Sequence, residues 1–275
     1  QMIEMVNNGQ AGFYPLAIMV DLPGYEHRRD FDFRLKLQED TRLILSFDDK
    51  TLRIEREYVF SKEQYQFSHR TRIWFDDGRG REHAKGDVFI GVSEGFPREE
   101  NKNVLLAPYS DVRNFIYHSQ NETTREKISG VEAEISVRKV VDWVGIENRY
   151  FVTSLINESK IKPYAVISKP IPGTGLIDLQ YPFYREKDHD HVEIKVTGYV
   201  GPKVVEHLNS VGHSFEKTID FGMFSVICTP LLKTMNFFYK YCHNYGIAII
   251  LLTLLIRILF HPLTKKSLQS MRDMQ

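Results

Sequence analysis

Cysteine is nearly absent from this chain, with two in 275 residues, Cys228 and Cys242. So small a supply excludes a disulfide framework. On one continuous helix their spacing amounts to about 21 Å, far beyond bonding reach. They are read as small apolar residues. An excess of one charge is missing too, because Lys plus Arg and Asp plus Glu each number 36. Net charge therefore gives no ground for a nucleic-acid partner, and none is expected. Internal repeats, low-complexity linkers, a GxSxG elbow and a phosphate-cradling glycine loop are also lacking. Residues 1–8 (QMIEMVNN) have neither a basic start nor an apolar run, so they do not read as a signal peptide. If residues 1–243 are exported, the expectation is a signal upstream. The abrupt stop after a basic segment reads as a piece trimmed at both ends.

Long hydrophobic runs are absent before residue 245. Over residues 13–197 the pattern is instead that of short strands. Residues 31–37 (FDFRLKL), 52–55 (LRIE), 132–138 (EAEISVR) and 192–197 (VEIKVT) alternate apolar with polar, the period of a half-buried strand. Residues 58–60, 65–67 and 71–75 add β-branched and aromatic side chains. Turn signals punctuate them: Asp48-Asp49, Asp76-Asp77-Gly78, Asn121-Glu122 and PIPG at 170–173. Short strands with regular turns predict an antiparallel sandwich or barrel.

The period changes near Gly201. Residues 202–208 read as a short helix, with Pro202 suited to a first turn. Residues 221–241 have helical period. Ser225, Thr229, Lys233, Asn236 and Lys240 fall on one face; Phe224, Ile227, Cys228, Leu231, Met235 and Phe238 fall on the other. Such a helix beside a span is expected in the membrane interface, with packing against the sandwich as the alternative. Tyr239, Tyr241 and Tyr245 would supply an aromatic belt.

From residue 245 the sequence reads YGIAIILLTLLIRILFHPLTKKSLQSMRDMQ. Its apolar length suits a membrane-spanning helix. Arg257 interrupts it, and Thr253, Arg257, His261 and Thr264 follow at helical spacings of four, four and three. They form one polar stripe on a greasy rod. An arginine at this depth costs at least ~2.5 kcal/mol, so it either snorkels to a helix end or engages something within the membrane. Lys265, Lys266 and Arg272 crowd the end of the span and mark it as cytoplasmic.

Other constellations have plainer readings. His189 and His191 in KDHDH share a strand face, but the flanking charges indicate a solvated loop and no metal is expected. The acidic pairs Asp48/Asp49, Asp76/Asp77 and Glu99/Glu100 are read as turn residues. Arg79, Arg81, His83 and Lys85 are read as a hairpin face. Asn121 and Asn157 match glycosylation sequons, read as chance matches. Trp143, Tyr150 and Phe151 are read as core aromatics, with a ligand groove as the minority reading.

The C-terminal motifs resemble a known family. IDFGMF at 219–224, TPL at 229–231, NYGIAII at 244–250, LLIR at 254–257 and PLTK at 262–265 are similar to segments of the YidC/Oxa/Alb membrane-protein insertases. SMRDM at 270–274 resembles the start of that family's cytoplasmic hairpin. GPK at 201–203, and Trp143 followed by Tyr150-Phe151, resemble landmarks of its Gram-negative periplasmic domain.

The resemblance implies a mainly β chain: a galactose-mutarotase-like β-supersandwich over residues 1–200, then a helical connector at 201–220. An amphipathic interfacial helix at 221–243, a transmembrane helix at 244–263 and the start of a cytoplasmic hairpin at 264–275 would follow. It implies a multi-pass protein of the bacterial inner membrane that inserts nascent membrane proteins, alone or with the Sec translocon and its accessory subunits. The ribosome, through cytoplasmic parts mostly outside this sequence, and the lipid bilayer are further implied partners. Arg257, with Thr253, would line a hydrophilic groove, and no cofactor or enzymatic step is implied. The alternative is a membrane-anchored module binding glycan or extended peptide, with Trp143 and Tyr150 as its site. A mutarotase-like enzyme would need convergent acid and base groups, which no motif supplies.

Overall fold

A computed structural model describes residues 16–76, 85–93, 113–169, 175–184, 191–219 and 225–272. Outside the described residues lie Asp77-Gly78, the basic Arg79, Arg81 and His83, the pair Glu99/Glu100, PIPG at 170–173, His189 and residues 221–224. The chain divides into two units, residues 1–218 and 219–275.

In the first unit the alternating segments become antiparallel strands in two sheets, as the periodicity predicts. The smaller sheet runs in the order β1 (Ala17–Asp21), β6 (Lys85–Ser93), β13 (Leu176–Tyr184), β12 (Tyr164–Ser168) and β9 (Ile135–Val140). The larger one has nine strands: β2 (Arg34–Gln38), β3 (Arg42–Asp48), β4 (Leu52–Phe60), β5 (Gln66–Phe75), β14 (Val192–Pro202), β11 (Phe151–Asn157), β10 (Trp143–Glu147), β7 (Asn114–Ser119) and β8 (Glu122–Lys127). Every second side chain of a strand points to the same face. Leu52, Ile54, Ile73, Phe75 and Ile194 of the larger sheet therefore share one core with Ile18, Val20, Ile90, Ile177 and Leu179 of the smaller.

Three local expectations differ from the structure. The alternation predicts a strand from residue 31, but β2 begins at Arg34. Phe33 N–H bonds the Phe31 carbonyl at 3.0 Å in a turn, and both rings pack on Phe47 with centroids at 5.1 and 6.4 Å. The helix expected at 202–208 instead spans Val205–Val211 (α1), because β14 stays extended through Pro202, which pairs with Phe151. The Tyr199 hydroxyl donating to the Pro202 carbonyl at 2.6 Å and Lys203 N–H to the Tyr150 carbonyl at 2.8 Å hold that stretch. Tyr150 and Phe151 are not core aromatics, being 65% and 48% exposed.

Trp143 is core. It is fully buried, stacks on His118 at 5.4 Å, meets the edge of Phe215 at 5.1 Å and donates its indole N–H to the His213 carbonyl at 3.2 Å. It thereby fastens the segment after α1 to the larger sheet. A second fastening is ionic. Glu147, 3% exposed, takes Arg125 Nε at 2.9 Å on one oxygen and Lys203 Nζ at 2.8 Å on the other. Arg125 also donates to the carbonyls of Lys217 and Thr218. Asn157 of the second sequon is buried, donating to the carbonyls of Ser159 and Ile161 and accepting from the Tyr181 hydroxyl.

Removing one side of a buried ionic cluster strands the other. Glu147→Ala should therefore lower unfolding free energy by about 3 kcal/mol, read by urea denaturation, and Glu147→Gln should recover part of the loss.

Candidate functional site

The second unit consists of two helices in contact, α2 (Ser225–Cys242) and α3 (Tyr245–Arg272). Asn244 sets where α3 begins. Its side-chain oxygen accepts the N–H groups of Gly246 at 2.8 Å and Ile247 at 3.4 Å, which the helix itself cannot satisfy. Tyr239 and Tyr245 stack face to face across the joint, with centroids 3.9 Å apart. Cys228 and Cys242 are both free thiols.

Tyr245–Pro262 is long and apolar enough to cross a membrane: 18 residues of mean hydropathy 1.9, only 6% buried. At 1.5 Å per residue it spans about 27 Å, close to a bilayer's hydrocarbon thickness. Ala248 is buried, and Leu251, Leu252 and Ile256 are half-buried, at helical spacing along one stripe. Thr253, Arg257 and His261 stand beside that stripe, all exposed.

Arg257 lies about 18 Å along the axis from Tyr245 and about 8 Å from Pro262. Among the described residues no carboxylate comes within ion-pairing distance of it. Thr253 donates its hydroxyl to the Ile249 carbonyl at 2.7 Å, and Thr264 donates to Phe260 at 3.0 Å. Each keeps lone pairs for an incoming donor, while its proton is already used by its own helix. Pro262 lies inside α3 and has no N–H, so the carbonyl of Ile258, four residues earlier, loses its helical partner. The sequence reading missed that carbonyl, which stands one residue from Arg257; the proline itself was its signal.

The first unit carries polar clefts in other places than expected. Buried Trp143 and exposed Tyr150 form no common site, which corrects the residues proposed for a glycan or peptide groove. His191 packs at a tilt against Trp74, with ring centroids 5.0 Å apart, and lines a cleft of about 410 Å³ with Glu158, Glu193 and Lys195. Among the described residues no three His, Cys, Asp or Glu side chains converge as a metal set.

A cleft of about 400 Å³ on the smaller sheet includes His27, Arg29 and Asp178. Asp178 is 1% exposed and meets Arg29 Nη2 at 3.3 Å through Oδ2. Its Oδ1 has no hydrogen-bond partner and lies over Gly91, where a Cβ would come within 2.0 Å of it. Burial raises this carboxyl to about 6 although Arg29 opposes the shift. His27 has a carboxylate neighbour, Asp21 at 3.5 Å, but its side chain is 75% exposed. The largest of these clefts, about 670 Å³, has Arg28, Arg29, Phe31, Phe33, Leu45, Arg56 and Tyr58 among its walls.

Comparison with known proteins adds to this geometry. The family model for the YidC periplasmic domain matches residues 23–234, and that for the 60Kd inner membrane protein matches residues 237–275. A membrane protein insertase YidC from Syntrophobacter fumaroxidans is 28% identical over 99% of this chain and 50% of its own length. One from Geobacter metallireducens is 34% identical over 57% of this chain and 29% of its own. The chain thus spans half or less of the length of these relatives. Among solved structures, a putative aldose 1-epimerase from Escherichia coli is similar at 8% identity and a TM-score of 0.42, over 65% of this chain and 72% of its own. The α-galactosidase AgaB of Geobacillus stearothermophilus is similar at 10% identity and 0.45, over 80% and 34%.

The raised Asp178 carboxyl gives a pH prediction. Between pH about 4 and about 6 the native carboxyl keeps a proton that the unfolded chain has released. The native state then binds more protons, so stability from this group is full below the unfolded value and is lost as pH rises through about 6. The stability advantage of the parent over Asp178→Asn should shrink by about 2 kcal/mol between pH 4 and 7. A difference independent of pH in paired urea melts would show an ordinary carboxylate.

Proposed function

This chain belongs to the YidC family, and we propose from that membership that it forms part of an insertase for nascent inner-membrane proteins, acting alone or with the Sec translocon. The physical task is to move a polar segment across about 30 Å of hydrocarbon, where unpaired backbone and charge are costly. A wet, positively charged recess part-way through divides that barrier and thins the apolar layer left to cross.

The observation that carries this reading is one permanent cation inside an 18-residue exposed apolar helix. Arg257 has no acidic partner among the described residues, and an arginine keeps its charge even when desolvated. In a low-dielectric recess it attracts an acidic or polar segment more strongly than in water. Thr253 offers lone pairs to backbone N–H groups of the passing chain. Hydrophobic segments then slide sideways into lipid, with no covalent step or nucleotide required. Other spans of a multi-pass protein would wall the recess, with residues 1–243 periplasmic and Lys265 and Lys266 cytoplasmic. In this reading α2 lies at the membrane interface, with exposed Val226, Ile227 and Phe237 toward lipid. Contacts with accessory Sec subunits and the ribosome are part of the same proposal.

The test is Arg257→Ala and Arg257→Lys in a full-length insertase carrying this segment, read as insertion of acidic-tailed substrates into membranes. The alanine variant should lose at least tenfold in insertion rate, equal to about 1.4 kcal/mol, and lysine should restore part of it. Unchanged insertion by the alanine variant would remove the charge from the mechanism.

A further inference from the structure

Arg56 sits on the inward face of β4, at the period-two position shared by Leu52, Ile54 and Tyr58. It is 5% exposed. Its Nε donates to His69 Nε2 at 3.2 Å and its Nη2 to the Leu16 carbonyl at 2.6 Å. Neither partner carries negative charge. His69 is kept neutral, first by burial and then by the guanidinium itself. Because its Nε2 accepts, its proton belongs on Nδ1, which has no partner. The rings of Phe33 and Tyr58 lie 5.6 and 5.4 Å from the guanidinium carbon and spread its charge without cancelling it.

The carboxylates nearest in sequence cannot help. Glu55 and Glu57 point to the opposite face of the sheet, where Lys36 and Arg72 hold the first and Arg42 and Arg70 the second. Asp30 and Asp32 stand exposed on the rim of the cleft, and Asp30 faces Arg28 at 3.5 Å. Among the described residues no acid reaches Arg56, although a buried charge normally requires a counter-charge. The guanidinium also lines the cleft of about 670 Å³, alongside Arg28 and the apolar Phe31, Phe33 and Leu45.

We propose that this cleft is a binding site for an organic carboxylate with an apolar body, its anionic group seated on Arg56 and its body against Phe31, Phe33 and Leu45. The planar guanidinium matches a carboxylate in two parallel hydrogen bonds. The apolar walls favour a monoanion attached to hydrocarbon over a strongly hydrated inorganic anion. The site is independent of Arg257 and of the insertase reading.

The register supplies an internal test. Leu45 on β3 pairs directly with Arg56 on β4, so the two side chains share one face about 5 Å apart. Leu45→Glu therefore places a carboxylate where the ligand's would sit, and Leu45→Gln is its uncharged control. Benzoate, benzamide and inorganic phosphate serve as probes, titrated calorimetrically at constant ionic strength into the whole chain in dodecyl maltoside micelles. Benzoate should bind saturably, at least tenfold more tightly than benzamide or phosphate. Leu45→Glu should abolish benzoate binding and melt at a higher temperature than Leu45→Gln, which loses part of the apolar wall and should bind benzoate saturably but more weakly than the parent. Arg56→Gln should lose binding, but it carries a risk of unfolding that the Leu45 pair avoids. Failure of benzoate to bind, equal binding of benzamide or phosphate, or benzoate binding by Leu45→Glu would each overturn the proposal.

Discussion

A charge removed from water must find an opposite charge or its equivalent in hydrogen bonds, and the polar interior of this chain is arranged around that constraint. Glu147 meets it in full, with one basic side chain on each oxygen. Asp178 meets it in part, with one oxygen on Arg29 and the other without a hydrogen-bond partner, and it responds by holding its proton to higher pH. Arg56 cannot respond that way, because a guanidinium does not give up its proton in a protein. It gathers neutral acceptors and aromatic faces instead. The three sites form a series from structural tie to unmet demand, and a demand left unmet inside a folded domain is where a ligand has most to contribute.

The sheets were legible because period-two alternation is a direct record of burial. Residues 52–55 and 192–197 show it, and both lie in strands whose inward residues form the core. The ends of elements were less legible, since they are fixed by contacts far away in sequence. Phe31 and Phe33 keep the alternation yet leave the sheet to pack on Phe47. Pro202 satisfies the local rule for a helix start, but its pairing with Phe151 extends the strand. Tertiary pairing overrides local propensity at these places.

The helix carrying Arg257 was legible from composition alone, because an apolar run of that length suits a membrane-spanning helix. What a sequence does not carry is which polar groups are already spent. The sequence places Thr253 on the polar stripe, but only the structure shows its proton on the Ile249 carbonyl. Trp143 and Tyr150 stand together in the sequence reading, as core aromatics or as the site of a glycan or peptide groove. The sheet buries one at the seam with Phe215 and leaves the other on a turn. The buried arginine was in plain view: positions 52, 54, 56 and 58 place Arg56 on an apolar face as plainly as they place Ile54 there. Its charge was hidden among the arginines and glutamates of the outward face, which alternate with it.

Arg56 and, on the proposed membrane reading, Arg257 pose one problem in two solvents. In the β unit, desolvation comes from packed side chains, and the fold answers with a ring nitrogen, a carbonyl and two aromatic faces. On α3 the intrahelical help nearby is a carbonyl freed by Pro262, and the side chains next to the arginine in sequence are aliphatic. A helix with a span's length and apolarity would gain from replacing Arg257 by leucine if crossing a membrane were all it did, since the charge costs at least ~2.5 kcal/mol there. The stripe from Thr253 to Thr264 extends that exception along the helix rather than confining it to one residue. On the reading proposed above, this face of α3 meets something more polar than lipid.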